Sequence, residues 1–201
     1  MKLLIISASH RKNSQTAKVA QFIERYQNAF NQVKHLDLCE LDLPFWDASS
    51  DFKSTDNNWL SLSEQMNQAD AFILMTPEWA GTASPLLKNL LLMSDLADTA
   101  HKPVMLVGTS SGINGAYPVA ELRMNGLKNT KLIPVPDYLI VRNIDQILNE
   151  PIATSKQDES MRARIDYCLM MLNHYAQAMQ PVRTAFFQQN KQYQQRYAYG
   201  M

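Results

Sequence analysis

Cysteine is scarce: Cys39 and Cys168 are the only two in 201 residues, far apart and outside any C-x-x-C spacing. That excludes a disulfide framework and suits a reducing, cytoplasmic compartment. Net charge is absent as well, with 19 Lys and Arg against 19 Asp and Glu. Such a balance argues against nucleic acid or an anionic membrane as the main partner. Long apolar runs are lacking. The first one ends at Ile6, too short for a signal peptide, and no later run reaches membrane length. No glycine follows the first apolar run, which excludes the G-x-G-x-x-G turn of a dinucleotide-binding domain. Ser7-Ala8-Ser9 stands where a receiver-like signalling domain needs acidic residues to hold a metal, so that class is excluded too.

What is present is a core: 46% of the residues are hydrophobic, enough for one well-buried domain. Lys2–Ile6, Ala71–Met75 and Pro103–Val107 are short apolar runs of the kind that form strands buried on both faces. Val33–Leu38 alternates polar and apolar, and Leu132–Val135 contains Pro134, which places both at sheet edges. Between them, Val19, Ile23, Tyr26 and Phe30 share one helix face, as do Trp59, Leu62, Met66 and Ala69. Ser84-Pro85 opens a further helix, with Ser as cap and Pro at the first helical position. Ala116–Leu127 is helical by its spacing. Met161, Ile165, Cys168, Leu172, Ala176 and Met179 form a last long helix, expected to stop before Pro181. The architecture read from this is α/β: a flavodoxin-like, doubly wound, five-stranded parallel sheet of order 2-1-3-4-5 with helices on both faces. Residues 1–181 form the domain. Residues 182–201 are a Gln- and Tyr-rich tail, expected to be loosely ordered unless Phe186, Tyr193 and Tyr197 dock on a partner subunit.

In such a sheet, ligands bind beyond the carboxyl ends of the strands where the strand order reverses. Ser7–Thr16 reads S-A-S-H-R-K-N-S-Q-T and joins the first strand to a helix start. Hydroxyls of Ser9, Ser14 and Thr16, the Arg11 guanidinium and the free N–H groups of that helix make a candidate phosphate cradle. Ser14 equally suits a plain helix cap. The second loop, Thr76–Ser84, offers the flat face of Trp79 and the small residues Ala80-Gly81. The third, Gly108–Gly115, reads G-T-S-S-G-I-N-G, a small-residue turn whose N–H groups can face a planar, electron-rich ligand.

Together these landmarks resemble the NAD(P)H-dependent FMN reductase family, which includes quinone and azo reductases. The S-x-R-x-x-S of Ser9–Ser14 is similar to its opening. P77-E-W-A-G-T-A-S-P-L-L-K-N89 is similar to its P-E-Y-N-G-S-x-P-G-x-L-K-N. Lys102-Pro-Val, Ser110-x-Gly112-x-x-Gly115, Leu122-Arg123 and Ile133-Pro134 match later landmarks. The match covers residues 1 to about 136. The resemblance implies an FMN cofactor, NADPH or NADH as co-substrate, and a homodimer or homotetramer with the flavin near a subunit interface. It implies that Ser9, Arg11, Ser14, Gln15 and Thr16 hold the phosphate. Pro77, Glu78, Trp79, Ala80 and Gly81 would line the isoalloxazine edge, and Ser110, Ser111, Gly112 and Gly115 its pyrimidine side. N–H groups from Ser111 to Gly115 near flavin N1 and O2 would favour the anionic reduced form. Hydride would pass from the nicotinamide through flavin N5 to a quinone, azo, flavin or metal acceptor, with no catalytic side chain and no bound metal. Ala8, Trp79, Ala80 and Ser84-Pro85 depart from the family's Gly, Tyr, Asn and Pro-Gly.

Two other readings stay open. A flavodoxin-type electron carrier shares the fold, although the neutral charge balance is unlike the acidic partner face of such carriers. Gly108-Thr-Ser110-Ser-Gly112 fits the G-x-S-x-G of a serine hydrolase, with Asp145 and His174 following in chain order.

Overall fold

The computed structural model describes residues 1–188 and 191–198. Strands β1 (Lys2–Ser7), β2 (Gln32–Asp37), β3 (Ala71–Pro77), β4 (Pro103–Thr109), β5 (Ile133–Pro134) and β6 (Leu139–Val141) form one parallel sheet. Its order is β2-β1-β3-β4-β5, with β6 also on β4. The sheet is therefore the flavodoxin-like one expected, with one strand more. β5 pairs with Pro103 and Val104 at the start of β4, and β6 with Val107–Thr109 at its end. These two short strands act as one edge strand broken by the proline-rich stretch between them. Pro134 and Pro136 have no N–H to offer a ladder. Arg123 binds the carbonyls of Val135 and Pro136 there instead.

Side chains on successive strand residues point to opposite faces, so each buried strand feeds two cores. Leu3, Ile5, Ile73, Met75, Met105 and Val107 meet α1 (Gln15–Tyr26) through Val19 and Ile23, and the last long helix through Ile165, Cys168 and Leu172. Leu4, Ile6, Phe72, Leu74, Val104 and Leu106 meet the other layer. That layer contains α2 (Phe52–Thr55), α3 (Asn57–Gln68), α4 (Pro85–Met93), α5 (Leu96–Thr99) and α6 (Tyr117–Glu121). The short α2 and α5 lie outside the sequence expectation. α6 passes into a single π turn, Leu122–Gly126, rather than continuing as α-helix.

Two side chains fasten this second layer at long range. Lys102, buried at 3% exposure, donates from Nζ to the carbonyls of Met66 (2.7 Å) and Asn67 (2.8 Å) at the end of α3. Asn89 of α4 accepts from the Trp46 amide (2.8 Å) and donates to the Pro44 carbonyl (2.9 Å), holding the 44–46 stretch.

The long helix α7 runs Lys156–Gln188 and does not stop before Pro181. Proline inside a helix costs about 3 kcal/mol. The contacts beyond it offset this: Arg183 pairs with Asp70 at 2.7 Å, and the Phe186 and His101 rings lie 4.7 Å apart. The boundary drawn at residue 181 thus falls inside a helix whose end returns to the body of the domain. A short α8 (Lys191–Arg196) follows; Lys131 Nζ donates to the Tyr197 carbonyl at 2.9 Å, while Tyr193 and Tyr197 stay exposed. Residues 189, 190 and 199–201 of the expected tail lie outside the described residues. Among the described residues no helix is long and apolar enough to cross a membrane.

Candidate cofactor cleft at the strand ends

The carboxyl ends of β1, β3 and β4 open into a cleft of about 360 Å³, within the usual size of small-molecule sites (roughly 300–1,000 Å³). Its lining takes Ser9, Arg11, Ser14, Gln15 and Thr16 from the first loop, Pro77, Glu78 and Trp79 from the second, and Ser110, Ser111 and Gly112 from the third. Thr109, Asn114 and Ile144 join them, outside the sequence expectation. Thr109 ends β4 just before the third loop. Ile144 follows β6, a strand that no sequence pattern announced.

In the first loop, Asn13 adopts a positive φ of 54° and turns the chain into α1. Ser14 is the helix cap, its Oγ accepting from the Ala17 amide at 3.0 Å. The amides of Gln15 and Thr16, at the first helical positions, donate to no acceptor among the described residues. They face the cleft end of α1, where the helix dipole is positive. Ser9 Oγ accepts from the Arg11 amide at 3.2 Å. The Arg11 guanidinium lies over the Trp79 ring, 5.5 Å from its centroid, and so joins the first loop to the second. Thr16 and Thr109 share a hydroxyl–hydroxyl bond of 2.8 Å beneath them. Trp79 is half-buried, not core.

The second loop is a tight turn. The Thr82 amide donates to the Trp79 carbonyl at 3.1 Å, and Ala80 and Gly81 both take positive φ, 50° and 71°. These are the signs of a type I′ turn, for which Asn-Gly is the favoured pair. Ala80 and Gly81 form its exposed tip and do not line the cleft. Behind the turn, Glu121 accepts from the Ala83 amide (2.6 Å), the Thr82 hydroxyl (2.8 Å) and Lys88 Nζ (3.1 Å). Burial works against the Glu121 charge, but the hydrogen bonds from Ala83, Thr82 and Lys88 outweigh it and hold the carboxyl below the usual range.

The third loop is cross-braced from the second. Glu78 Oε2 accepts from the amides of Gly115 (2.6 Å) and Tyr117 (3.3 Å). Gly112 donates its amide to Ser110 Oγ at 3.1 Å. Two of the N–H groups expected to face a ligand are therefore used within the protein, and Gly115 does not line the cleft. The amides of Ser111, Ile113 and Asn114 donate to no acceptor among the described residues. Asn114 has its carbonyl held by Arg142 Nε at 3.1 Å.

The hydrolase constellation is not assembled. Ser110 Oγ accepts from Gly112, and neither Asp145 nor His174 bonds to it among the described residues. His174 sits on α7, lining a separate hollow with Asn28, Asp166 and Asn173.

A three-layer α/β sandwich with its cleft at the strand-order reversal is a flavodoxin-like protein. Solved structures agree on the fold: the flavoenzyme NAD(P)H:(acceptor) oxidoreductase FerB of Paracoccus denitrificans superposes with a TM-score of 0.71 at 18% identity, over 89% of this chain and 98% of that one. An NADH:FMN oxidoreductase (EMOB, apo form) gives 0.55 at 20% identity, over 89% and 87%. In sequence, the FMN-dependent NADPH-azoreductase of Staphylococcus aureus is 32% identical over 168 residues, 82% of this chain and 89% of its relative. The profile of the NADPH-dependent FMN reductase family matches residues 1–146, from β1 to just past β6. The chain belongs to the NADPH-dependent FMN reductase family. It is an oxidoreductase that uses FMN with a reduced nicotinamide co-substrate.

Proposed function

We propose that this chain holds FMN with its phosphate at the start of α1 and passes reducing equivalents from NADPH or NADH to a small-molecule acceptor of the quinone or azo type. The unpaired Gln15 and Thr16 amides, set beside Arg11 and the Ser9 and Ser14 hydroxyls at the mouth of the cleft, are the observation that carries this reading. An anion there meets a positive helix end and a guanidinium together. Arg11, stacked on Trp79, is already oriented and loses little freedom on gripping a phosphate.

The donor set fits the rest of the cofactor as well. Trp79 and Pro77 give an apolar wall, and the open amides of Ser111 and Asn114 give donors for a pyrimidine edge. The Ala80-Gly81 turn, outside the cleft lining, positions Trp79. Bound in this way, FMN supplies a ring that takes up hydride and releases electrons to the acceptor. The chain's part is to grip the phosphate, hold the ring edge and keep one ring face open to the two substrates in turn.

A homodimer or homotetramer in the cytoplasm completes the proposal. Its support is the exposure of large apolar residues on the third loop, α6 and the π turn after it, Ile113 at 83%, Tyr117 at 66% and Met124 at 80%. The free, unpaired Cys39 and Cys168 suit a reducing compartment. Residues 1–181 carry the cofactor site in this reading, and 182–201 add no residue to its lining among the described residues.

Purified protein incubated with excess FMN and desalted should show the two-band flavin spectrum. Arg11→Ala should raise the FMN dissociation constant ~10- to 100-fold, the worth of one charge-assisted hydrogen bond. Folded protein that stays colourless would refute the reading. Rapid bleaching by NADPH separates an enzyme from a carrier, and light scattering gives the oligomer.

A further inference from the structure

Among the described residues that line the cleft, Glu78 is the only carboxylate. An acidic side chain is out of place in a site for a cofactor that brings its own phosphate, unless the charge has a use. A glutamine would hold the loop amides without it. The carboxylate is half-buried, and its Oε2 draws in the amides of Gly115 and Tyr117 at 2.6 and 3.3 Å. Its Oε1 has no partner among the described residues. The charge thus sits between the two loops that flank the proposed ring, beside the third loop's open amides at Ser111, Ile113 and Asn114.

We propose that Glu78 is a positioning residue: it clamps the third loop to the second, and its charge lowers the reduction potential of the bound flavin. The proposal rests on the FMN reading given above. The physical cause is direct. Open amides stabilise the negative charge that reduction adds to the ring, and a nearby carboxylate opposes it. The loop would otherwise favour the reduced cofactor, and Glu78 offsets that preference so that electrons leave readily for the acceptor.

Two variants separate clamp from charge. Glu78→Gln keeps an acceptor and loses the charge; Glu78→Asp keeps the charge and shortens the reach. In the protein without cofactor, amide hydrogen exchange at Gly115 and Tyr117 should stay near wild type in Glu78→Gln and be ~10-fold faster in Glu78→Asp. With FMN bound, Glu78→Gln should bind the reduced over the oxidised cofactor ~10-fold better than wild type does, an upward shift of ~30 mV for a two-electron couple. Glu78→Asp should stay near the wild-type potential. FMN uptake with an unmoved potential in Glu78→Gln overturns the role of the charge, and unmoved exchange in Glu78→Asp overturns the clamp. Should neither variant fold, a through-hydrogen-bond coupling from the Gly115 amide in wild-type protein decides the clamp, its absence refuting it. Failure of wild type to take up FMN at all would instead sink the cofactor reading.

Discussion

A Cβ on residue 108 would lie 1.9 Å from the carbonyl oxygen of Gly115. The third loop therefore folds back flat against the end of β4, closer than any side chain permits. Gly115 itself has φ +107°, and a Cβ there would stand 2.8 Å from Ile140. Glu78 grips the loop at this same residue. Gly108→Ala sets a methyl against backbone, which no rotamer change relieves, so the loop must lift. We expect a loss of about 2–3 kcal/mol, the upper part of the overpacking range, and FMN binding weakened ~10-fold through the displaced loop amides. Gly112 has no atom within 4 Å of its would-be Cβ and no positive φ. Gly112→Ala should change stability by less than about 0.5 kcal/mol. Urea unfolding and flavin titration of the two variants side by side test the contrast.

Ala80 sits at φ +50° in the turn before α4, followed by Gly81 at +71°. An alanine pays for the left-handed region with its Cβ, by roughly 1–2 kcal/mol, where asparagine can bond locally. Ala80→Asn should stabilise the protein by about 0.5–1 kcal/mol without moving Trp79. Ala80→Val should destabilise it, because a β-branched residue fits positive φ poorly. Denaturant midpoints with unchanged slopes would bear this out, and a stabilising Val would contradict it.

The buried strands β1, β3 and β4 were legible because their apolar residues run unbroken, and α1 and α4 because spacing and caps coincide at Ser14 and Ser84-Pro85. β6 was not: three residues after two prolines carry no period, and the strand exists because β4 has an unpaired far end. The course of α7 through Pro181 was hidden for a related reason, since Arg183–Asp70 spans 113 positions of sequence. In the cleft, contiguous loop residues could be read and cross-loop bridges could not. The family landmarks at Lys88, Asn89, Lys102 and Arg123 fasten the scaffold and do not line the cleft. Glu78 lines the cleft as the motif implies, and its bond to Gly115, 37 positions on, is a cross-loop bridge of this kind.

Lys102 carries its ammonium inside the protein. Burial is the main cause, with the charge of Arg183 adding to it and Asp98 and Asp70 opposing, and the group is pushed down to about 8. In the unfolded chain it titrates near ~10.4. Between these values the unfolded state holds more protons, so this group's contribution to stability rises with pH from about 8 to about 10 and is lost as pH falls through 8. Unfolding at pH 8, 9 and 10 should show that rise in wild type and not in Lys102→Met. Arg183→Gln removes a neighbouring positive charge and should raise the Lys102 midpoint. A side-chain NMR titration gives both values directly.

Asp158 and Arg162 hold the stretch that leads from β6 to α7. The buried carboxylate of Asp158 accepts from the amides of Leu148 (3.0 Å) and Thr154 (3.1 Å) and from two nitrogens of Arg162 at 3.0 Å each. Arg162 in turn donates to the carbonyls of Pro151 (2.8 Å) and Glu150 (2.7 Å), with its guanidinium 4.7 Å from the Phe22 ring centroid. Burial alone would raise the Asp158 carboxyl, but hydrogen bonds from Arg162, Leu148 and Thr154 win and hold it below its ordinary value. Its contribution is therefore present above the unfolded carboxyl range, near ~3.9, and lost as pH falls through the lower folded value. Asp158→Asn leaves Arg162 part-buried without its partner and should cost about 3 kcal/mol, the low end for a broken buried pair because Arg162 still reaches water. The acid limb of the wild-type stability profile, below about pH 4, should be shallower in that variant. Ile144, which lines the cleft, lies on the stretch that this pair fastens. FMN binding should accordingly weaken less than stability does, and a variant that lost FMN affinity at full stability would show that the stretch serves the cleft directly.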